Sequence, residues 1–272
     1  MRIKITLILL IALTFSACSG YNRLLRNPDP NIRFAYAQRF FEEGRYNRTI
    51  ALLEDVIHQL HGTARGEEAL FLLGQSFFNI RDFTAATATF RQYYAIFPAG
   101  QFVEDAMFNA AFGMYLDSPD PRLDQTSTYL AIEGFMMFRE RFPQSDRAEQ
   151  AMYYVFYLQE KLAYKELLTS RLYLNLGNFA GNNHYEAAVI TAREAMRNYP
   201  FSVHLEEFQM IILRARFRFA SQSFARYQQE RFRTVIDEFH NYRNMFPEGR
   251  FMNDAVEMYT EAARRVGLAP TI

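Results

Sequence analysis

One four-residue phrase recurs along the chain: an aromatic residue, a proline, any residue, and then glycine or serine. Its four copies are Phe97-Pro98-Ala99-Gly100, Phe142-Pro143-Gln144-Ser145, Tyr199-Pro200-Phe201-Ser202 and Phe246-Pro247-Glu248-Gly249. Proline excludes the helical conformation from the residue before it, so each copy predicts the end of a helix. Acidic residues follow the first three copies, where they would complement the dipole of the next helix. The phrase therefore predicts a series of helices that end and restart at regular points.

The residues before each proline also agree between the four segments. Eight residues before it lie Phe90, Phe135, Ala192 and Phe239; twelve before it lie Ala86, Ala131, Ala188 and Val235; fifteen before it lie Phe83, Thr128, Tyr185 and Phe232. Small residues at one position and large residues at another, in helical spacing, are typical of closely packed helices. We find no convincing run of the alternation that a β-strand would show.

The block 67–100 closely resembles a tetratricopeptide repeat (TPR), a helix pair of 34 residues. Block 30–63 is a weaker copy, block 104–143 carries an insertion, block 163–200 follows an extra helix near 146–162, and block 203–247 is longer. Repeats of this kind bury their faces only by stacking on their neighbours. We therefore predict an all-α, TPR-like α-solenoid of about five helix pairs, which forms a single domain over residues 31–267.

The N-terminus predicts export and lipidation. Arg2 and Lys4 precede a short apolar stretch, as in a secretory signal peptide over residues 1–17. The sequence Ser16-Ala17-Cys18 resembles the lipobox of bacterial lipoproteins, in which the cysteine receives diacylglycerol and an N-acyl chain such as palmitate. Cys18 is the sole cysteine of the chain, and a buried thiol in an uncleaved helix is the alternative. Residues 18–30 would form a lipidated tether.

Composition and motifs favour binding over catalysis. Without Arg2 and Lys4, 30 − 2 = 28 basic residues face 30 acidic ones, which gives no electrostatic footprint for nucleic acid. A polybasic membrane patch is not evident, so the lipid would hold the protein at the membrane. No phosphate-binding glycine loop or multi-cysteine site occurs, and His58 and His61 lack a third metal ligand nearby. We therefore predict no enzyme activity, and no cofactor other than the covalent lipid.

An aromatic ladder is the candidate binding site. Three sets of residues recur at 37-residue intervals in the first helices of successive repeats: Phe34, Phe71 and Phe108; Phe41, Phe78 and Tyr115; and Gln38, Gln75 and Phe112. In the TPR family these registers line a concave groove, so an extended peptide with aromatic side chains could lie along them. The alternative is that these side chains pack against the tether or a neighbouring helix, since the helices are apolar almost all round.

The whole chain resembles the BamD family of lipoproteins, which belong to the outer-membrane β-barrel assembly machinery. The resemblance rests on the lipobox, the proline phrases and four short segments: Gly44-x-Tyr46, Leu162-Ala163-Tyr164-Lys165-Glu166, Tyr185-Glu186-Ala187-Ala188 and Asn198-Tyr199-Pro200. Segments 177–184 and 203–247 depart from the better-known proteobacterial pattern.

The resemblance implies a protein on the periplasmic face of the outer membrane. It implies that the C-terminal repeats bind a BamA-like barrel protein, and that the N-terminal repeats receive C-terminal segments of unfolded outer-membrane proteins. Two alternatives are another TPR lipoprotein that captures glycans or peptides, and a helical enzyme such as one that modifies peptidoglycan. The first usually needs stacking platforms, often tryptophan, which this chain lacks; for the second we find no convergent acid or nucleophile.

Overall fold

The computed structural model describes residues 21–269. The predictions for the signal peptide and for Cys18 lie outside these residues. Eleven α-helices occur in the described part, without any strand. They are α1 (Pro30–Glu42), α2 (Tyr46–Leu60), α3 (Ala64–Asn79), α4 (Phe83–Ile96), α5 (Val103–Asp117), α6 (Thr126–Arg141), α7 (Ala148–Leu176), α8 (His184–Asn198), α9 (Leu205–Ser221), α10 (Ala225–Met245) and α11 (Met252–Arg265), with a 3-10 turn at Phe179–Gly181. Residues 21–25 are also helical.

Consecutive helices pack as neighbours within two compact units. Among the described residues, the first unit comprises 21–118 and 126–155, and each helix from α1 to α6 packs on the next. The second comprises 119–125 and 156–269, in which α8 to α11 pack in the same sequential way. The prediction of an all-α, TPR-like solenoid is confirmed.

The four aromatic-proline phrases, called proline turns from here on, end and restart helices as predicted. Helices α4, α6, α8 and α10 end at the residue before each aromatic residue, and the next helix begins three residues after the glycine or serine. Every turn has the same backbone hydrogen bond: the amide of the glycine or serine donates to the carbonyl of the aromatic residue, at 3.0 to 3.1 Å. One sequence phrase therefore produces one local structure four times.

The packing registers counted back from each proline are also confirmed. All twelve residues at these positions are buried, and Phe83, the most exposed of them, exposes only 8% of its surface. Phe90, Phe135 and Phe239 are each 0% exposed. Large and small side chains at these fixed positions thus form the contact between the two helices of each pair.

Helix α7 differs from the expectation. The sequence predicted an extra helix near 146–162, followed by a new helix from residue 163, whereas Ala148–Leu176 is one continuous helix of 29 residues. No glycine or proline interrupts this stretch, and without such a residue nothing terminates the helix. The predicted boundary was wrong because the repeat period was extended across a segment that has no helix stop.

A glutamate from an earlier helix supports each proline turn. Ser145 Oγ donates to Glu104 Oε1 at 2.6 Å, and Ser202 Oγ donates to Glu160 Oε1 at 2.9 Å. A serine hydroxyl therefore joins the second turn to α5 and the third turn to α7. These hydrogen bonds hold the proline turns in place against the earlier helices.

The two glycine-containing turns use a tyrosine hydroxyl instead. Tyr93 Oη donates to Glu67 Oε1 at 2.6 Å, and Tyr242 Oη donates to Glu206 Oε1 at 2.7 Å. Burial, followed by the bond to the glutamate, raises the pKa of both tyrosines. A Cβ atom on Gly100 would lie 2.5 Å from Glu67 Oε1 and 2.6 Å from Tyr93 Oη. Glycine is required there because the tyrosine hydroxyl occupies the space of a side chain.

Candidate functional site

The first register of the predicted ladder lies in the core. Phe34, Phe71 and Phe108 are only 4%, 7% and 6% exposed. The Phe71 ring stacks on Phe102 with centroids 4.5 Å apart, and the Phe108 ring meets Phe135 and Phe138 edge to face. These three residues therefore do not line a groove, and the alternative of packing against neighbouring helices holds for them. Because these helices are apolar almost all round, the sequence pattern did not distinguish the face in the core from a face that lines a groove.

The other two registers are half-buried. Gln38 donates to Glu68 Oε1 at 2.6 Å, Phe41 packs edge to face on Tyr46, and Gln75 lies on α3. Four aromatic residues form a continuous strip in the first unit: Phe78, Phe112, Tyr115 and Tyr154. Their successive ring centroids are 6.0, 5.6 and 4.5 Å apart. Tyr154 was missed because it lies on α7, outside the 37-residue spacing.

A cavity of about 470 Å³ lies at the start of the first repeat. We call it the first-repeat pocket, and its lining combines aromatic, aliphatic and arginine side chains: Tyr21, Arg23, Leu24, Asn27, Ile32, Tyr36, Arg39, Phe40, Glu43, Arg45 and Arg48. Tyr36 is 42% exposed and Phe40 is 8% exposed. An apolar ring could therefore enter from solvent and reach the core at Phe40.

Four arginines and one glutamate give this pocket a net positive charge. Glu43 is already paired, with Arg39 at 2.9 Å and with Arg45 at 3.2 Å. Among residues 21–269, Arg48 faces rings and no carboxylate: its guanidinium lies 5.0 Å from the Tyr21 centroid and 5.6 Å from that of Phe40. Such a guanidinium, held against aromatic faces, can still bind a carboxylate through its N–H groups.

The turn between α1 and α2 places these arginines. Gly44 has a φ of +70°, a conformation that glycine adopts without strain. The Arg45 amide then donates to the Phe40 carbonyl at 2.7 Å. Helix α2 begins at the next residue, and Arg45 and Arg48 therefore lie beside the pocket. The first turn of α2 contains no acidic residue, so its dipole adds to the positive potential.

The sequence did not identify this pocket. Tyr21 closes it from the segment before α1, with its ring 5.9 Å from that of Phe40. Burial raises the pKa of Tyr21, and the neighbouring Arg48 lowers it in part. The available signal was Gly44-x-Tyr46 with arginines on both sides, but the tether was expected to be separate from the repeats.

A second cavity, of about 380 Å³, lies at the third proline turn in the second unit. We call it the turn pocket, and its lining residues are Phe156, Gln159, Glu160, Asn198, Tyr199, Pro200, Phe201 and Ser202. Phe156 is 56% exposed and Phe201 is 89% exposed. Glu160 accepts from Ser202 and lies 3.3 Å from His204 Nε2. Aromatic residues are enriched at protein–protein interfaces, so these exposed rings are candidates for a binding surface.

The described residues contain neither a metal site nor a membrane-spanning helix. Over residues 21–269, no group of three or more histidine, cysteine or acidic side chains is placed to hold a metal ion. His58 and His61 are both exposed. Among the described helices, none is long and apolar enough to cross a membrane.

Comparisons with known proteins point in one direction. A family model described as "YfiO: Outer membrane lipoprotein" matches residues 27–200, more than half of the chain. The outer membrane protein assembly factor BamD of Pasteurella multocida (strain Pm70) is 24% identical over 178 residues, which are 62% of this chain and 68% of that protein. The family match includes most of the first-repeat pocket and ends before α9.

Proposed function

Since the chain belongs to the YfiO family of outer membrane lipoproteins, we propose that it is a non-enzymatic component of the machinery that assembles β-barrel proteins in the outer membrane. The similarity to an outer membrane protein assembly factor supports this role. The work of such a component is to bind unfolded barrel proteins and to hold them beside a BamA-like subunit.

The first-repeat pocket carries the proposal. Its ligand is the C-terminal residue of an unfolded outer-membrane protein, an aromatic side chain next to a free carboxylate. The ring lies against Tyr36 and Phe40, and the carboxylate accepts hydrogen bonds from Arg48. Because the pocket has an excess of arginine over carboxylate, it favours a chain terminus with its free carboxylate over an internal segment. The half-buried aromatic strip then contacts apolar side chains of the same peptide further along.

A photo-crosslinking amino acid at Tyr36 tests this proposal in cells. We expect it to capture unfolded outer-membrane proteins through their C-terminal segments. The matched control is Tyr129 on α6, which is also exposed, at 55%, but lies away from the pocket lining. Equal capture at the two positions, or capture at Tyr129 alone, would refute the pocket as the receiving site.

The second unit contains the C-terminal repeats, and we assign to it the contact with the BamA-like barrel protein. The turn pocket supports this assignment because Phe201 is almost fully exposed beside it. Replacement of Phe201 by glutamate should abolish co-purification of the barrel protein. Met245→Glu, at an exposed position before another proline turn, should not. Retention of the partner by Phe201→Glu would assign the contact to a different surface.

Cys18 is proposed as the lipid anchor that holds the protein on the periplasmic face of the outer membrane. Membership of a lipoprotein family supports this anchor. Cys18→Ala should prevent incorporation of labelled palmitate and leave the signal peptide uncleaved. Unchanged labelling of this variant would contradict the assignment without affecting the proposals for the two pockets.

A further inference from the structure

Two loops at one end of the helices in the second unit each carry a protruding aromatic side chain. They are residues 177–183, between α7 and α8, and residues 222–224, between α9 and α10. Phe179 is 68% exposed and Phe224 is 77% exposed. We call the two loops and the adjacent helix ends the loop tip. Leu172 at 56% and Tyr227 at 40% extend its exposed apolar surface.

Side-chain hydrogen bonds hold the two loops together. Asn178 Nδ2 donates to Gln222 Oε1 at 2.8 Å, and Gln222 Nε2 donates to Tyr185 Oη at 3.0 Å. Gln222 therefore joins one loop to the first residues of α8, and it fixes the backbone next to Phe224. The two phenylalanines belong to one connected surface in spite of their distance in sequence.

The loop tip is cationic. Residues 172–185 and 208–229 contain no aspartate or glutamate. Within the described range 21–269, Arg218, Arg226 and Arg231 are not paired with any carboxylate. The Arg226 guanidinium lies 4.6 Å from the Tyr227 centroid, and that of Arg231 lies 4.0 Å from the Phe219 centroid. Arg231 also donates one N–H to Ser223 Oγ, so stacking on the rings orients these charges while the other guanidinium N–H groups can bind a ligand.

We propose that the loop tip docks onto an anionic phospholipid surface. Phe179 and Phe224 enter the headgroup region, and Arg218, Arg226 and Arg231 bind lipid phosphates. A protruding apolar surface fits a soft bilayer interface, whereas a groove would be needed to receive a peptide. Glu230 is the one acidic residue between Arg218 and Arg231, and the net positive charge that remains is complementary to anionic lipid.

The membership of an outer membrane lipoprotein family places a bilayer within the working environment of the chain. Arg218, Arg226 and Arg231 lie within one stretch of 14 residues, whereas the fold adds Phe179 to this surface through the bond between Asn178 and Gln222. The proposal rests on family membership and not on the ligands assigned to the two pockets. Its α9 and α10 residues also lie beyond the residues matched by the family model.

The absence of tryptophan from the chain allows a direct test. Phe224→Trp introduces a single fluorescent reporter at the loop tip, and Phe201→Trp places the same reporter at another exposed position of the second unit. The purified protein is mixed with phosphatidylglycerol-containing vesicles, with pure phosphatidylcholine vesicles, or with vesicles of brominated lipid. We expect a blue shift and bromine quenching for Phe224→Trp on the anionic vesicles only, and neither for Phe201→Trp.

A second variant tests the arginines. Arg226→Gln together with Arg231→Gln, in the Phe224→Trp protein, should weaken partitioning onto anionic vesicles by about 25-fold, since each arginine near such a surface contributes about fivefold. Unchanged emission of Phe224→Trp on anionic vesicles would overturn the proposal. So would an equal shift on phosphatidylcholine, or a shift that occurs only after addition of a BamA-like protein, which would identify a protein as the occupant.

Discussion

The first-repeat pocket and the loop tip have similar chemistry and opposite shapes. In the pocket, Arg48 stacks on Tyr21 and Phe40 around a cavity of about 470 Å³. At the loop tip, Arg226 and Arg231 stack on rings beside phenylalanines that protrude into solvent. The aromatic floor of the pocket belongs to the core of the first repeat, whereas Phe179 and Phe224 are mostly exposed.

This difference indicates how one residue combination can serve two partners. A concave site surrounds a single chain end and can discriminate its terminal carboxylate. A convex site contacts a deformable surface and depends on the summed charge of several arginines.

The largest expected difference concerns stability. Phe40→Ala removes a buried ring and should lower the free energy of unfolding by about 3 to 5 kcal/mol. Phe224→Ala removes an exposed ring and should change it by no more than about 0.5 kcal/mol. Urea unfolding followed by circular dichroism measures both values. Similar losses for the two variants would show that the loop tip is part of a core.

The next effect concerns charge reversal in the pocket. Arg48→Glu should weaken binding of a peptide with an aromatic C-terminal residue by at least about 30-fold, because it removes the charge that faces the carboxylate. Arg226→Glu at the loop tip should leave this affinity unchanged. Fluorescence polarisation with a labelled peptide reports both affinities. An equal loss from both variants would indicate non-specific electrostatic attraction.

Salt should separate the two regions by a smaller amount. The screening length falls from about 10 Å at 0.1 M to about 3 Å at 1 M salt, which weakens contacts with a diffuse charged surface. Vesicle binding through the loop tip should therefore decline steeply over this range. Peptide binding in the pocket should decline less, since it adds apolar contact with Phe40 to one direct ion pair. Parallel salt profiles would contradict the distinction.

The smallest effect lies in α7, outside both regions. Burial raises the pKa of Glu166 above its ordinary value of 4.5, and Lys165 offsets part of that rise. Because the pKa is raised in the folded state, the stability contribution of Glu166 is full below pH 4.5 and is lost as the pH rises through the folded-state pKa.

Glu166→Gln should therefore raise the melting temperature slightly at neutral pH and leave it unchanged near pH 3. Peptide and vesicle binding should stay as in the unmodified chain. A melting temperature that falls at neutral pH in this variant would contradict the stated cause of the shift.

The sequence predicted the parts of the fold that local chemistry determines. The proline turns end helices because a proline restricts the residue before it, and the buried registers follow from helical periodicity. The choice of glycine or serine in each turn was not predicted, although glycine occurs where a tyrosine stands four residues before the aromatic residue, as Tyr93 and Tyr242 do.

The candidate sites were less predictable because they depend on contacts between distant segments. Phe71 and Phe108 satisfied the spacing of a groove, yet their helices are apolar on several faces, and both rings pack inside. The first-repeat pocket needs Tyr21 to fold back on Phe40. The loop tip needs Asn178 to meet Gln222, 44 residues later. No periodicity within one helix encodes these contacts.

The first-repeat pocket is proposed to bind the C-terminal carboxylate of a barrel protein. The most direct measurement compares two peptides of identical sequence, one with a free C-terminal carboxylate and one with a C-terminal amide. We expect the free acid to bind the protein at least about 30-fold more tightly than the amide, and we expect Arg48→Glu to remove this preference. Equal affinity for the two peptides would contradict the claim.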